Sequence, residues 1–268
     1  METTEEITTI ASPVSTFRRV LVGVDDSPES LEAARQAAVL AEGPLTLLCA
    51  YSLARALVGG TGPGVPAYLD EESQRHEAEE ALEHAERELG DVPFTARITA
   101  GRPWDALLAE IERWDDTLVV VGSHGTGRTL GIVIGSTATA LIHKARCSVL
   151  IARASLGAFP RKVVVGLDGS PESAAAYATA ASVADRFGAE LIPIVGTVGE
   201  EVDPAAIARR IGRPVQAVED HPVSALVSES ADADLVVVGS RGLQGLKALG
   251  SVSERVAHQA ASSVLIVR

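Results

Sequence analysis

The residues best suited to chemistry are three glycines and a serine. Gly122 and Gly125 stand three apart, and nine residues further on come Gly135 and Ser136. Gly122 closes the apolar run Thr117–Val121, where a Cβ would obstruct a ligand approaching the main chain. Gly125 permits positive φ, which turns successive backbone N–H groups inward. Gly135-Ser136 opens a helical pattern. Ser136 is suited to cap that helix, and the first free N–H groups, with the helix dipole, attract an anion. The pattern therefore describes neutral donors converging on phosphates. Arg128 is the only fixed charge in the loop, and His124 reads as a solvent-facing turn residue.

The chain writes this pattern twice. Gly239, Gly242, Gly250 and Ser251 repeat it, with seven residues rather than nine before the last pair. Arg241 replaces His124, Lys247 lies in the loop, and Ser251-Val-Ser-Glu254 forms a capping box. Upstream, Val-Gly-Val-Asp25 recurs as Val-Gly-Leu-Asp168, and both aspartates stand where they could cap the next helix, meet a ligand, or both. Asp220-His-Pro222 takes the place of Gly101-Arg-Pro103, and a carboxylate there would repel polyphosphate. His143 and His258 occupy equivalent helix positions and suit packing or dimer contact better than a metal site. Trp104 and Trp114 read as packing residues or a pocket lip, and Cys49 as a small core residue.

Familiar catalytic sets are missing from the sequence. Without Gly-x4-Gly-Lys-Ser/Thr there is no lysine to bridge outer phosphates. Nucleophile elbow, zinc spacing and Gly-x-Gly-x-x-Gly at the first strand–helix turn are absent too. Fast hydrolysis needs an oriented water and charge on the leaving phosphates, and neither is legible, so hydrolysis is expected to be slow at most.

The elements that position these residues alternate between strand and helix. Apolar runs at 20–24, 45–51, 93–99, 117–121 and 148–152 read as buried strands, and amphipathic stretches from Asp70 to Leu89, Trp104 to Trp114 and Ser136 to Ala145 as helices. A first helix starts after Asp26, with Pro28 in its opening turn, and Gly43-Pro44 stops it. The second repeat follows the same order but lacks 26 residues: Asp25 to Asp168 is an offset of 143, and Gly122 to Gly239 only 117. The loss falls on the Gly-Pro-rich loop at 59–66 and the long acidic helix; a short helix near Pro204 to Ile211 remains. Such alternation implies an α/β fold of two tandem doubly wound domains, each a parallel sheet with helices on both faces. The expected boundaries are a flexible tail at 1–17, domains at 18–153 and 161–268, and a linker at 154–160. Ligands of such sheets bind beyond the carboxyl ends of the strands where strand order reverses, which is where Asp25 and Gly122 belong.

Composition narrows the partners. The chain is 268 residues long with a formal net charge of −13, which argues against nucleic acid or an anionic membrane. Two cysteines make neither a disulfide framework nor a metal cluster, so a reduced, cytoplasmic setting is expected. No stretch reaches bilayer-spanning length, and the polar, acidic start is unlike a signal peptide.

Taken together, the two glycine patterns, the two Val-Gly-x-Asp strand ends and Gly101-x-Pro103 resemble the universal stress protein family, in its nucleotide-binding branch. The resemblance covers both repeats. It implies a five-stranded parallel sheet in each domain and an ATP site, with or without Mg2+. Asp25 would meet the adenosine, Leu45 and Val121 would border the adenine, and Gly122, Gly125, Gly135 and Ser136 would hold ribose and phosphates. The full expected site adds Val24, Gly101, His124, Arg128 and Thr137, and in the second copy Asp168, Gly239, Arg241, Gly242, Gly250 and Ser251. The second copy is expected to be the weaker site. The resemblance also implies an internal pseudo-dimer joined near Val149 and Val264, able to form a homodimer. The expected role is an ATP-binding stress regulator or sensor with an as yet unnamed protein partner; the competing readings are a nucleotide-free interaction module and a weak ATPase.

Overall fold

The computed structural model describes residues 17–51, 71–114, 117–125, 134–155, 157–199, 202–240 and 252–268. The expected flexible tail, apart from Phe17, and the Gly-Pro-rich loop lie outside them. In the first half, β1 (Arg19–Val24), β2 (Leu45–Tyr51), β3 (Phe94–Ala100), β4 (Thr117–Gly122) and β5 (Ser148–Ala152) alternate with α1 (Pro28–Leu40), α2 (Glu71–Leu89), α3 (Pro103–Ile111) and α4 (Ser136–Lys144). In the second, β6 (Lys162–Gly166), β7 (Glu190–Gly196), β8 (Gln216–Val218), β9 (Leu235–Gly239) and β10 (Ser263–Val267) alternate with α5 (Pro171–Phe187), α6 (Pro204–Ile211), α7 (Pro222–Glu229) and α8 (Val252–Gln259).

All ten strands join one sheet in the order β3-β2-β1-β4-β5-β10-β9-β6-β7-β8. Every pairing is parallel except β5 with β10, which is antiparallel and places Ile151, Leu150 and Val149 opposite Val264, Leu265 and Ile266. The two five-stranded sheets are thus continuous, and the closing strands meet where the family resemblance implied.

Side-chain alternation builds two cores, because successive strand residues face opposite sides. Val20, Val22 and Val24 face α1 and α2, with α5 and α6 covering the same side of the second half. Leu21, Val119, Val121, Val149 and Ile151 face α3 and α4, and α7 and α8 continue that layer. Among the described residues no helix is long and apolar enough to cross a membrane.

The junction carries reciprocal arginine clamps that were not anticipated from the sequence. Arg153 follows β5 and is 9% exposed. Its guanidinium donates to Ala257 O (2.5 Å) and Ser262 O (3.1 Å), at and just beyond the carboxyl end of α8. Arg268 follows β10 and donates to Ala145 O (2.5 Å) and Ile142 O at the carboxyl end of α4. Each cation therefore meets the negative end of a helix from the other half. Burial pulls the Arg153 pKa down to about 10 and lowers that of Arg268. The backbone repeats the exchange: Arg153 N donates to Ser263 Oγ (3.0 Å) and Arg268 N to Ser148 Oγ (3.2 Å). His143 Nε2 meets Glu254 Oε1 at 3.1 Å between α4 and α8, so this histidine serves internal contact.

Two measurements follow from this junction. Arg153→Ala strands carbonyls in a buried place and should cost about 3 kcal/mol in urea unfolding. Burial, outweighing the opposing effect of Glu254, holds the His258 pKa below 6.5. A cation disfavoured by folding stabilises above the unfolded pKa and loses that contribution as pH falls through it. The wild type should therefore lose more Tm between about pH 7.5 and pH 5.5 than His258→Gln does; equal losses would contradict this.

Candidate functional site

The site begins at the turn from β1 into α1. Ser27 is the N-cap of α1: its Oγ accepts from Ser30 N at 3.1 Å. Asp25 does not cap the helix, as its position had suggested; it orients the cap. Ser27 Oγ donates to Asp25 Oδ1 at 2.5 Å, and Ser27 N donates to the same oxygen at 3.3 Å. Asp25 N in turn donates to Ser30 Oγ at 3.2 Å. With Oδ1 engaged, Oδ2 is left directed toward Gly125. Asp168, Ser170 and Ser173 repeat this lattice, with Ser170 Oγ to Asp168 Oδ1 at 2.5 Å. The next residue differs. Asp26 holds φ of 59°, a conformation costly outside glycine, where the second half uses Gly169 at 80°. His84 of α2 pairs with the Asp26 carboxylate, tying α2 to the strained position.

The glycines of β4 and α4 serve other purposes than expected. None of Gly122, Gly125 and Gly135 has positive φ. A Cβ on Gly122 would lie 2.7–2.8 Å from Glu29 backbone and Cβ atoms, so this glycine admits α1 and not, in the first instance, a ligand. Gly239 plays the same part against Glu172, at 2.5 Å. A Cβ on Gly125 would lie 2.2 Å from Asp25 Oδ2. Gly135 is different: its Cβ would meet Ser123 O at 3.6 Å, an ordinary contact, and its φ of −64° suits any residue. Neither space nor backbone conformation within the protein requires glycine there.

Gly135, not Ser136, is the N-cap of α4, with no side-chain cap; Ser136 is the exposed first helical residue. Gly135 N donates to Ser123 O at 2.7 Å, and the helix ladder first closes with Thr139 N on Gly135 O at 3.0 Å. The N–H groups of Ser136, Thr137 and Ala138 are thus left without a partner among the described residues. They open onto a cleft of about 640 Å³.

That cleft sits at the carboxyl rim of β1, β2 and β4, where strand order reverses. Val24, Asp25, Val121, Gly122, His124, Gly125, Gly135, Ser136 and Thr137, all anticipated, line it together. Leu45 does not. It pairs with Val20 at the start of β2, whereas Cys49 pairs with Val24 at the rim. Four residues of strand put Leu45 about 13 Å away; Leu48, Cys49 and Ala50 stand in its place. Gly101 is not in the lining either. Its φ of 133° and its N–H to Tyr51 O (2.8 Å) shape the turn that brings Pro103 to the wall. The wall contributed by α2, including Gln74, Ala78 and Ala81, was missed from the sequence, where the helix read as a packing element. A polar residue in its apolar stripe was the available signal.

The charges are one-sided. Asp25, Asp26, Glu77 and Glu80 line the cleft, with neither lysine nor arginine among the described lining residues. Attraction for an anion rests on the α4 terminus. His124 is half-buried rather than solvent-facing. Its Nδ1 lies 3.1 Å from Ser123 Oγ, and its buried Nε2 has no partner among the described residues. Burial, reinforced by Asp25 and Asp26, pushes the Cys49 thiol up to about 12, so it stays protonated at neutral pH. Among the described residues no cluster of three His, Cys, Asp or Glu side chains is disposed to hold a metal. Arg128, Arg241, Gly242, Gly250 and Ser251 lie outside the described residues.

The profile of the universal stress protein family matches residues 16–153 and 215–268. A universal stress protein of Mycolicibacterium smegmatis is 33% identical, the match covering 93% of this chain and 96% of that one. One of Mycobacterium tuberculosis is 32% identical with the same coverage. In fold, the chain is similar to a crystal structure of a universal stress protein from Archaeoglobus fulgidus: TM-score 0.71, 22% identity, 94% of this chain and 97% of that one covered.

Gly122 should stand apart from Gly125 and Gly135 in ligand-free urea unfolding. Gly122→Ala should cost about 3 kcal/mol, because helix backbone cannot yield, and Gly125→Ala about 1 kcal/mol, because the Asp25 carboxylate can turn aside. Gly135→Ala should cost at most about 1 kcal/mol, the loss expected when alanine replaces glycine at an N-cap and far less than at Gly122.

Proposed function

Because this chain belongs to the universal stress protein family, we propose that the rim cleft of its first half binds ATP, and that the protein acts in the cytoplasm as an ATP-binding regulator or sensor of a stress response. Gly135 carries this reading. Backbone and space would both accept a side chain there, yet the position is a glycine at the mouth of an uncapped helix N-terminus. A phosphate chain lying against the Ser136, Thr137 and Ala138 N–H groups would need that bare edge. Asp25 Oδ2 is available to accept from a ribose hydroxyl. The apolar end, formed by Leu48, Ala50, Ala78 and Leu107, suits a base. Mg2+ would arrive with the phosphates and offset the acidic wall.

The proposed role is binding, not turnover. Within the described residues the cleft offers no fixed cation and no activated nucleophile, the groups that phosphoryl transfer draws on. A regulator needs only that ATP bind one conformation better than another.

The test is to denature the purified protein, resolve the released small molecules by ion exchange, and titrate ATP-Mg2+ into refreshed protein by calorimetry. Released nucleotide or a saturable heat is expected. Gly135→Asp should weaken binding at least about tenfold, since a carboxylate would occupy the phosphate position. An absence of both nucleotide and heat would instead favour a nucleotide-free interaction module.

A further inference from the structure

We infer that Gln74 is the specificity-determining residue of the cleft, selecting a purine that presents an exocyclic amine over one that presents a carbonyl; the inference rests on the nucleotide reading above. The buried stripe of α2 runs Gln74, Ala78, Ala81, Leu82, Ala85, Leu89. Five of these six positions are Ala or Leu, as packing requires. Gln74 is 7% exposed and lines the cleft. A buried amide is costly unless its polar atoms are matched.

One of them is matched inside the protein. Gln74 Nε2 donates to Glu77 Oε2 at 3.3 Å. An ionised carboxylate only accepts, so Glu77 sets the rotation of the amide: the NH2 faces the carboxylate and Oε1 is left as the acceptor. Oε1 has no hydrogen-bond partner among the described residues and is not among their buried unpartnered atoms, so it is an accessible acceptor on the cleft wall, free to exchange water for a ligand donor.

Position then identifies the ligand atom. The free N–H groups of α4 hold phosphates over β4. Helix α2 packs over β1, β2 and β3 instead, so Gln74 stands at the opposite end, where the base must lie. Adenine would offer its amine to Oε1. Guanine would set a carbonyl against it, acceptor facing acceptor, and such a mismatch is rejected more strongly than a change of shape.

The test is calorimetric titration of full-length protein with ATP-Mg2+ and GTP-Mg2+. Wild type is expected to prefer ATP at least about tenfold. Gln74→Leu, which keeps the stripe apolar, should lose about tenfold in ATP affinity, while GTP affinity should rise because the opposing acceptor is gone. Glu77→Ala, at an exposed position, frees the amide to turn its NH2 toward a carbonyl; GTP affinity should rise and the preference narrow. No preference in wild type, equal losses for both nucleotides in Gln74→Leu, or an unchanged ratio in both variants would overturn the inference while leaving nucleotide binding intact. Wild type that binds neither nucleotide would overturn the functional reading and this one with it.

Discussion

The antiparallel pairing of β5 with β10 is the constraint on which the rest of the molecule depends. Both strands are fully buried, with five apolar or small residues each. Left unpaired, either would expose apolar side chains and a row of unmatched backbone groups. Their pairing lets the cores on both sides of the sheet run through the junction. It also delivers Arg153 and Arg268 to the ends of α8 and α4, where the guanidinium groups satisfy carbonyls that would otherwise be buried without donors. Gln36 adds to the seam, donating to Arg153 O and accepting from Ser263 Oγ, each at 2.8 Å.

Helix α4 links that junction to the cleft. Its carboxyl end is held by Arg268, its last turn by the contact of His143 with Glu254, and its amino end opens onto the cleft. The amino end is placed by its own contacts, Gly135 N on Ser123 O at 2.7 Å and Thr139 N on Gly135 O at 3.0 Å, which leave its first donors facing the crevice without a side-chain cap.

The two halves share one frame and differ in what surrounds it. The Asp-x-Ser-x-x-Ser lattice and the glycine that admits the next helix occur in both with nearly the same distances. What the second half lacks is the long helix. In the first half, α2 reaches over the rim, pairs His84 with Asp26 and contributes the wall containing Gln74. The counterpart of Asp26 is Gly169, relaxed in the left-handed region. Arg210 of α6 donates to Gly169 O at 3.0 Å, so a helix reaches both positions, and the difference is that the first half holds an aspartate where the second has glycine.

Much of this was legible in the chain alone. Strand–helix alternation, the duplication and the glycine spacing determined the fold class, the order of elements, and the crevice where Asp25 and Gly122 meet, because period-two and period-3.6 patterns and strand-end glycines are local properties. Residue-level placement was not local. The resemblance implies Leu45 beside the adenine, yet Leu45 opens β2, and the register of β2 against β1 brings Cys49 rather than Leu45 to the rim beside Val24. Gly122 and Gly125 were expected to serve a ligand and a turn, yet they make room for Glu29 and for the Asp25 carboxylate, neighbours nearly a hundred residues away in sequence. The arginine clamps depend on two strands 115 residues apart running antiparallel. The sequence by itself determined the repeating elements and their order. Tertiary structure alone decided which atoms approach across the folded chain, because steric room and hydrogen-bond partnership belong to pairs of distant residues.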